Sequence, residues 1–218
     1  MPDYATARLN MVENQIRPNR VTDERLLAAI AEVPRERFVP KRLHGNAYVD
    51  QDIALGDGRY LMEPVVFARL LQAAAIGPGD VVLDIGCGTG YSAAVLGKLA
   101  GTVVALESDA ALAKQAIEAL TELDVDNAVV VEGPLAEGYP RQAPYDVIVL
   151  GGSVDAVPDA IADQLVVGGR LVAVVNVAPS VGNIEVIHRS HGGLSRRQLY
   201  DAAVPILPGF AAEHGFVF

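Results

Sequence analysis

The sequence holds a single cysteine, Cys87, so it has no internal disulfide; that fits a reducing compartment. Basic residues are also scarce: 17 Lys and Arg stand against 27 Asp and Glu, a formal net charge of −10. Tight binding to a phosphate backbone rests on clustered Lys and Arg, so no nucleic-acid partner is expected. Half the residues are apolar, yet no uncharged apolar run reaches the roughly 18 residues that a membrane span needs. The opening MPDYATARLN carries early charges and has no apolar stretch of the kind a secretory leader uses. These absences lead to the expectation of a soluble cytoplasmic protein with no membrane partner. Internal repeats and low-complexity segments are missing too. His44, His188, His191 and His214 are scattered along the chain, and each is read as surface or packing.

The most informative stretch present is VVLDIGCGTGY, Val81 to Tyr91. Apolar residues around Asp84 read as a short buried strand, preceded by the turn Gly77-Pro78-Gly79. Gly86, Gly88 and Gly90 follow at alternate positions, and Tyr91, Ala94, Val95 and Leu99 then recur at helical spacing. Glycines remove the Cβ atoms that keep a ligand off the backbone and allow positive φ in a tight turn. A dinucleotide cradle wants Gly-x-Gly-x-x-Gly and a pyrophosphate on the helix start. Here the third glycine comes one residue early, and Asp84 precedes the first by two. An acid there repels a pyrophosphate but accepts from an ammonium group. S-adenosylmethionine carries an ammonium and a sulfonium and no phosphate, so it suits the turn better than NAD. The competing reading is a turn that joins strand to helix and binds nothing.

A second buried strand, Val103 to Leu106, ends at Glu107, about 20 residues beyond the glycines, where a carboxylate is placed to take both hydroxyls of an adenosine ribose. The alternative use of Glu107 is to favour the start of the next helix. The candidate cofactor-binding set read here is Asp84, Gly86, Cys87, Gly88, Gly90, Tyr91, Glu107 and Ser108. Cys87 enters it as a small space-filler inside the turn, not as a nucleophile.

Before this unit, Leu9, Val12 and Ile16 have helical spacing up to Pro18. Thr22 is the expected N-cap of a helix carrying Leu26, Leu27, Ile30 and Val33, closed by Pro34. Residues 35–62 read as irregular, and Pro64 opens a helix with Val66, Leu70, Leu71 and Ala74. Residues 1–76 are therefore expected to be a mainly helical cap on a core of residues 77–218, within one globule. In that core Asp109 caps a helix running to Leu123, and strands follow at 128–131, 145–150 and 171–175. A helix from Pro158 with Ile161 and Leu165 is expected to stop at Gly168-Gly169, and two β-rich stretches, 184–188 and 198–204, are expected at an antiparallel edge. Such alternation means a mostly parallel sheet covered by helices.

The chain resembles the protein-L-isoaspartate O-methyltransferase family over nearly its whole length. MVENQIRP, VPRERFVP at Val33 to Pro40, AYVDQDIALGDG at Ala47 to Gly58, VVLDIGCGTGYSAAVL, PYDVIVL and the Gly168 to Val172 stretch follow that family's order and spacing. The resemblance implies a Rossmann-like class I S-adenosylmethionine-dependent methyltransferase fold with antiparallel C-terminal strands. It also implies methyl transfer to the carboxylate of damaged aspartyl residues for repair, on a peptide, a protein or a related small carboxylate. Two places depart from the family. Its Thr-Ile-Ser stretch before the proline matching Pro64 is Tyr60, Leu61 and Met62 here, and a thioether donates no hydrogen bond. Its Gly-Asp-Gly after the third strand matches Gly133, Pro134 and Leu135, which leaves Glu132, one place earlier, to hold the adenine amino group beside Gly133. A family paralogue that binds the cofactor without isoaspartyl repair, with another acceptor or as a sensor, is the alternative.

Methyl transfer from a sulfonium is an in-line displacement, to which an enzyme contributes alignment and exclusion of water. A carboxylate acceptor is already nucleophilic and needs no general base, whereas an amine, phenol or hydroxyl does. Arg59, Tyr60 and Met62 are the acceptor-side candidates: Arg59 to bind an anion, Tyr60 to donate to it, Met62 to seal the cofactor pocket. Asp50, Asp52 and Asp57 are the candidate bases should the acceptor need one, against a plain reading as loop acids. Ser153, after the fourth strand, is a further candidate against a reading as loop.

Overall fold

A computed structural model describes residues 3–178 and 181–212; His214 lies outside them. Seven strands form one sheet: β3 (Val81–Ile85), β4 (Thr102–Glu107), β5 (Ala128–Glu132), β6 (Tyr145–Val154), β7 (Leu165–Ala178), β8 (Val181–Ser190) and β9 (Gly193–Ala202). Their order across the sheet is β5-β4-β3-β6-β7-β8-β9. The first five in that order are parallel, and β8 and β9 run antiparallel at the edge. From β3 the chain builds outward through β4 to β5, then returns to the other side of β3 for β6 and β7. The order of strands reverses there, which is where open parallel sheets leave a crevice at the carboxyl ends of their strands.

Alternation along each strand sends side chains to two apolar layers. On one side, Val82, Ala105, Val147 and Val149 join residues of the N-terminal segment, among them Met11, Leu26, Ile30, Phe38 and Leu70. On the other, Leu83, Ile85, Leu106, Ile148 and Leu150 meet Leu135, Ile161, Leu207 and Phe210. Burying each such Leu or Ile side chain contributes about 1.5–3 kcal/mol before chain entropy is set against it. The N-terminal segment thus shares an apolar layer with the sheet. It comprises α1 (Tyr4–Met11), α2 (Glu24–Glu32), the short hairpin β1 (Ile53–Gly56) and β2 (Arg59–Leu61), and α3 (Pro64–Ala74). The core helices are α4 (Tyr91–Gly97), α5 (Ala110–Glu122) and the four-residue α6 (Asp159–Ala162).

Several boundaries differ from the sequence reading, each for a local reason. Pro18 does not end the first element: Val12–Ile16 continues α1 as a wider π turn and Arg17–Asn19 as a 3-10 turn, until Arg20 takes a left-handed φ of 66°. Asp23, not Thr22, caps α2, its carboxylate accepting from the backbone N–H of Arg25 and Leu26. Residues 35–62 are more regular than expected, because they contain the hairpin and two 3-10 turns at Arg35–Phe38 and Lys41–Asn46. Leu165 begins β7 instead of continuing a helix, and Gly168, with φ +92°, sits at a break of register against β6. Gly151, Gly152 and Ser153 belong to β6, not to a loop, and the backbone of Ser153 pairs with Pro205 and Leu207.

Candidate functional site

At the carboxyl end of β3, Asp84 is fully buried. Its Oδ2 accepts from Ser92 Oγ at 2.6 Å, in the first turn of α4. Its Oδ1 is buried and has no hydrogen-bond partner among the described residues. Burial pushes the carboxyl up to about 7, against the lowering effect of Ser92. A buried acceptor left open in this way calls for a donor from outside the chain.

The glycine turn that follows needs its glycines. Gly86 has φ +82° and Gly90 φ +95°; a Cβ on Gly86 would stand 2.8 Å from Leu207 Cδ2, and one on Gly90 3.1 Å from Ala116 Cα. The hairpin β1–β2 lies across this turn, and Leu55 bounds the space above Gly88. Between them is a narrow hollow of about 20 Å³, apolar at Leu55, Leu61, Met62, Phe67 and Leu70, with Asp84 and Ser92 as its polar corner. Its lining suits the apolar part of a small organic ligand, while its room is that of about one water. An adjoining, smaller hollow of about 10 Å³ is bounded by Asp52, Arg59, Gly152 and residues 204–206. Tyr60, Met62 and Gly151 border both.

Glu107, at the tip of β4, is fully buried, but it does not border the larger hollow. Its Oε1 accepts from the backbone N–H of Ser108 at 2.8 Å and of Asp109 at 3.2 Å, and its Oε2 from Gly88 N–H at 2.7 Å. The guanidinium of Arg59, only 3% exposed, reaches the same Oε2 through Nη2 at 2.8 Å. Burial alone would raise this carboxyl. The hydrogen bonds and charge of Arg59, with the loop amides, outweigh it and hold Glu107 below the ordinary range. Arg59 is thus found on an internal acid, not free to receive an anion as the sequence suggested. Cys87 is buried and its thiol is pushed well up, first by burial and then by Asp84, which leaves it a space-filler.

Tyr91 takes a packing role: its ring borders the hollow but is buried against Phe38 and Phe67, with centroids 5.5 and 5.2 Å away. Over that ring lies Arg35, fully buried, its Cζ 4.8 Å from the centroid. Arg35 donates through Nε to the Ala47 carbonyl at 2.8 Å and through Nη2 to the Met62 carbonyl at 2.6 Å, so one side chain ties the cap to the wall of both hollows. Sequence reasoning missed Arg35, Ser92, Leu55 and Leu207. Ser92 had a signal, eight residues after Asp84 and on the first turn of the next helix.

Of the remaining candidates, Ser108 supports Glu107 through its amide and, at 3.3 Å, its hydroxyl. Glu132 is exposed at the end of β5, in register with Glu107, and Gly133 donates its N–H to the Glu107 carbonyl; neither borders a hollow. Asp50 and Asp52 are spent on α3, accepting from Val65 N–H and Glu63 N–H at 3.0 and 2.9 Å. Asp57 sits at φ +47° in the hairpin turn, and Ser153 is buried in β6 away from the larger hollow. Burial, then Asp50 and Asp52, raises Glu63 to about 7. His44, His188 and His191 border neither hollow.

Residues 7–206 match the sequence profile of the protein-L-isoaspartate(D-aspartate) O-methyltransferase family. The chain is 40% identical over 205 residues to a protein-L-isoaspartate O-methyltransferase of Koribacter versatilis, covering 94% of this chain and 92% of the relative. A Gloeobacter violaceus protein of the same description is 36% identical over 205 residues, 94% of this chain and all of the relative. Among solved structures, a protein-L-isoaspartate O-methyltransferase aligns with TM-score 0.79 and 25% identity, over 94% of this chain and 66% of that one. A Plasmodium falciparum structure, described as a putative protein-L-isoaspartate O-methyltransferase in complex with S-adenosyl-L-homocysteine, aligns with TM-score 0.76 and 19% identity, over 91% and 96%.

Proposed function

The chain belongs to the protein-L-isoaspartate(D-aspartate) O-methyltransferase family, and from that premise we propose that it methylates the carboxylate of isoaspartyl residues in peptides or proteins, with S-adenosylmethionine as donor. The observation that carries this reading is the unpartnered Oδ1 of Asp84, a residue that borders an apolar hollow beside a bare-backbone turn. An ammonium group would satisfy it, and the raised carboxyl ionises once a cation arrives. Asp84 is assigned to the amino group, the Gly86 to Gly90 turn to close approach, and Glu107 with Ser108 to the ribose. Glu132 and Gly133, at the adjacent strand end, are assigned to the adenine side.

S-adenosylmethionine, when bound, supplies the electrophilic methyl. The chain supplies alignment and a dry wall: Leu61, Met62 and Phe67 border the hollow, all of them buried. The acceptor is assigned to the smaller hollow, where Tyr60 offers a hydroxyl; Arg59 borders it too, with its guanidinium held on Glu107. A carboxylate acceptor needs no base, which agrees with Asp50 and Asp52 being committed to backbone amides. Residues 1–76 serve as the cap that supplies the acceptor-side wall to the core of residues 77–218. A cytoplasmic location belongs to the same reading, supported by the buried, unpaired Cys87; among the described residues no helix is long and apolar enough to cross a membrane.

Methyl transfer from labelled S-adenosylmethionine to an isoaspartyl peptide tests the reading, with the aspartyl peptide and a Gly88→Arg variant as controls. Label should appear on the isoaspartyl peptide alone, and no transfer above the Gly88→Arg level would remove the assignment. Met62 at the shared wall favours one second reading, a cofactor-binding paralogue with a different acceptor; turnover of the isoaspartyl peptide eliminates it.

A further inference from the structure

A carboxylate has about four lone-pair sites, and on Glu107 they are all taken. Backbone N–H groups of Ser108 and Asp109 fill Oε1, where the Ser108 hydroxyl and Arg59 Nε also approach at 3.3 and 3.4 Å, and Gly88 N–H shares Oε2 with Arg59 Nη2. Three of these donors are backbone amides of the glycine turn and the β4 end, fixed by the fold. Arg59 is a side chain, carried on a three-residue strand of the separate two-stranded hairpin. A ribose diol seeking Glu107 therefore finds its place held by the guanidinium.

We propose that the cofactor's ribose and Arg59 exchange at Glu107: the diol displaces the guanidinium, which turns into the adjoining hollow and there holds the acceptor's carboxylate. The proposal rests on the reading of an S-adenosylmethionine donor and a carboxylate acceptor. The two positions are neighbours. Arg59 already borders the smaller hollow, and its Nη2 stands 3.0 Å from where a Gly86 Cβ would be, at the turn that bounds the larger one. A buried guanidinium needs a counter-charge in either position. Glu107 supplies it before the cofactor arrives, and the acceptor supplies it afterwards. Asp52 borders the smaller hollow too, but one of its oxygens is committed to Glu63 N–H. Acceptor and cofactor would then help each other bind, reciprocally, through a single side chain.

The test compares the native chain with Arg59→Gln and Arg59→Lys, by calorimetric titration of S-adenosylhomocysteine and by steady-state methylation of an isoaspartyl peptide. Arg59→Gln should bind S-adenosylhomocysteine about three- to tenfold more tightly, because no ion pair has to open first. Its peptide KM should rise about tenfold with a smaller change in kcat. Arg59→Lys, a point charge without the planar fork, should fall between. In the unmutated chain, the Arg59 Nε–H resonance, assigned by its loss in Arg59→Lys, should shift on saturation with S-adenosylhomocysteine. A folded Arg59→Gln that binds tenfold more weakly, an unchanged peptide KM, or an unmoved Nε–H signal would each overturn the exchange. A native chain that binds S-adenosylhomocysteine and shifts that signal, yet transfers nothing to the peptide, supports the displacement and refutes the isoaspartyl acceptor alone. A native chain that does not bind S-adenosylhomocysteine refutes both.

Discussion

Replacing Asp84 by Asn should move stability and binding in opposite directions. Burial lifts this carboxyl from 3.8 to about 7 in the fold. A shift of about three units, at about 1.36 kcal/mol each, puts an upper bound of about 4 kcal/mol on the cost of ionising it without a ligand. The folded pKa lies above the unfolded one, so the stability tied to the protonated group is whole below about pH 4 and is lost as pH rises through about 7. Asn is nearly isosteric, carries no charge, and keeps an oxygen for Ser92 Oγ. At pH 8 the ligand-free Asp84→Asn chain should therefore be more stable than the native one by about 1–3 kcal/mol. For a chain of this length that is a rise in Tm of about 2–12 °C. The advantage should shrink as pH falls through 7 and be gone near pH 4. Binding should go the other way. Removing one partner of a buried, hydrogen-bonded charge pair costs about 2–5 kcal/mol, so the Kd for S-adenosylhomocysteine should rise about 30-fold or more. Thermal unfolding at pH 8, 6 and 4, with calorimetry at pH 8, reads both effects. An Asp84→Asn chain that is less stable at pH 8, or that binds within about threefold of the native chain, would refute the reasoning.

Other perturbations test neighbouring parts of the site. Arg35→Met leaves the Ala47 and Met62 carbonyls without their donor, and should lower unfolding stability in urea by about 2–4 kcal/mol; an unchanged midpoint contradicts its tying role. Glu107 is held below its ordinary 4.5, so it contributes stability above that pH that is lost as pH falls through its lower folded value. Glu107→Gln should accordingly flatten the acid limb of the stability curve below pH 4.5, and an acid limb as steep as the native one would count against the ion pair. Met62→Ser places a hydroxyl at the wall between the hollows and should raise kcat on an isoaspartyl peptide about tenfold, the scale of one hydrogen bond to a charged group. A fall in kcat with the fold intact would show that the thioether is the better wall.

The legible parts of the molecule were those encoded by neighbours in sequence. Asp84, the glycine turn and the start of α4 fall within a dozen residues, and their spacing alone specifies strand, bend and helix. Glu107 was legible as a strand tip, yet its partner Arg59 lies 48 residues earlier on a different sheet, and no local pattern announces an ion pair across that distance. Arg35 was hidden for the same reason, since its partners Ala47, Met62 and Tyr91 come from three separate segments. Asp50 and Asp52 read as candidate bases or plain loop acids because the amides at the start of α3 that they accept from are 15 and 11 residues away. Leu165 and Gly168 misled because a four-residue helix and a register break leave too few residues for periodicity to tell helix from strand.

The most direct test is a crystal structure of this chain soaked or grown with S-adenosylhomocysteine. The amino nitrogen should lie within hydrogen-bond distance, about 3 Å, of Asp84 Oδ1, with the ribose hydroxyls on Glu107. An adenosine group elsewhere, with Asp84 Oδ1 still unpartnered, would contradict the account.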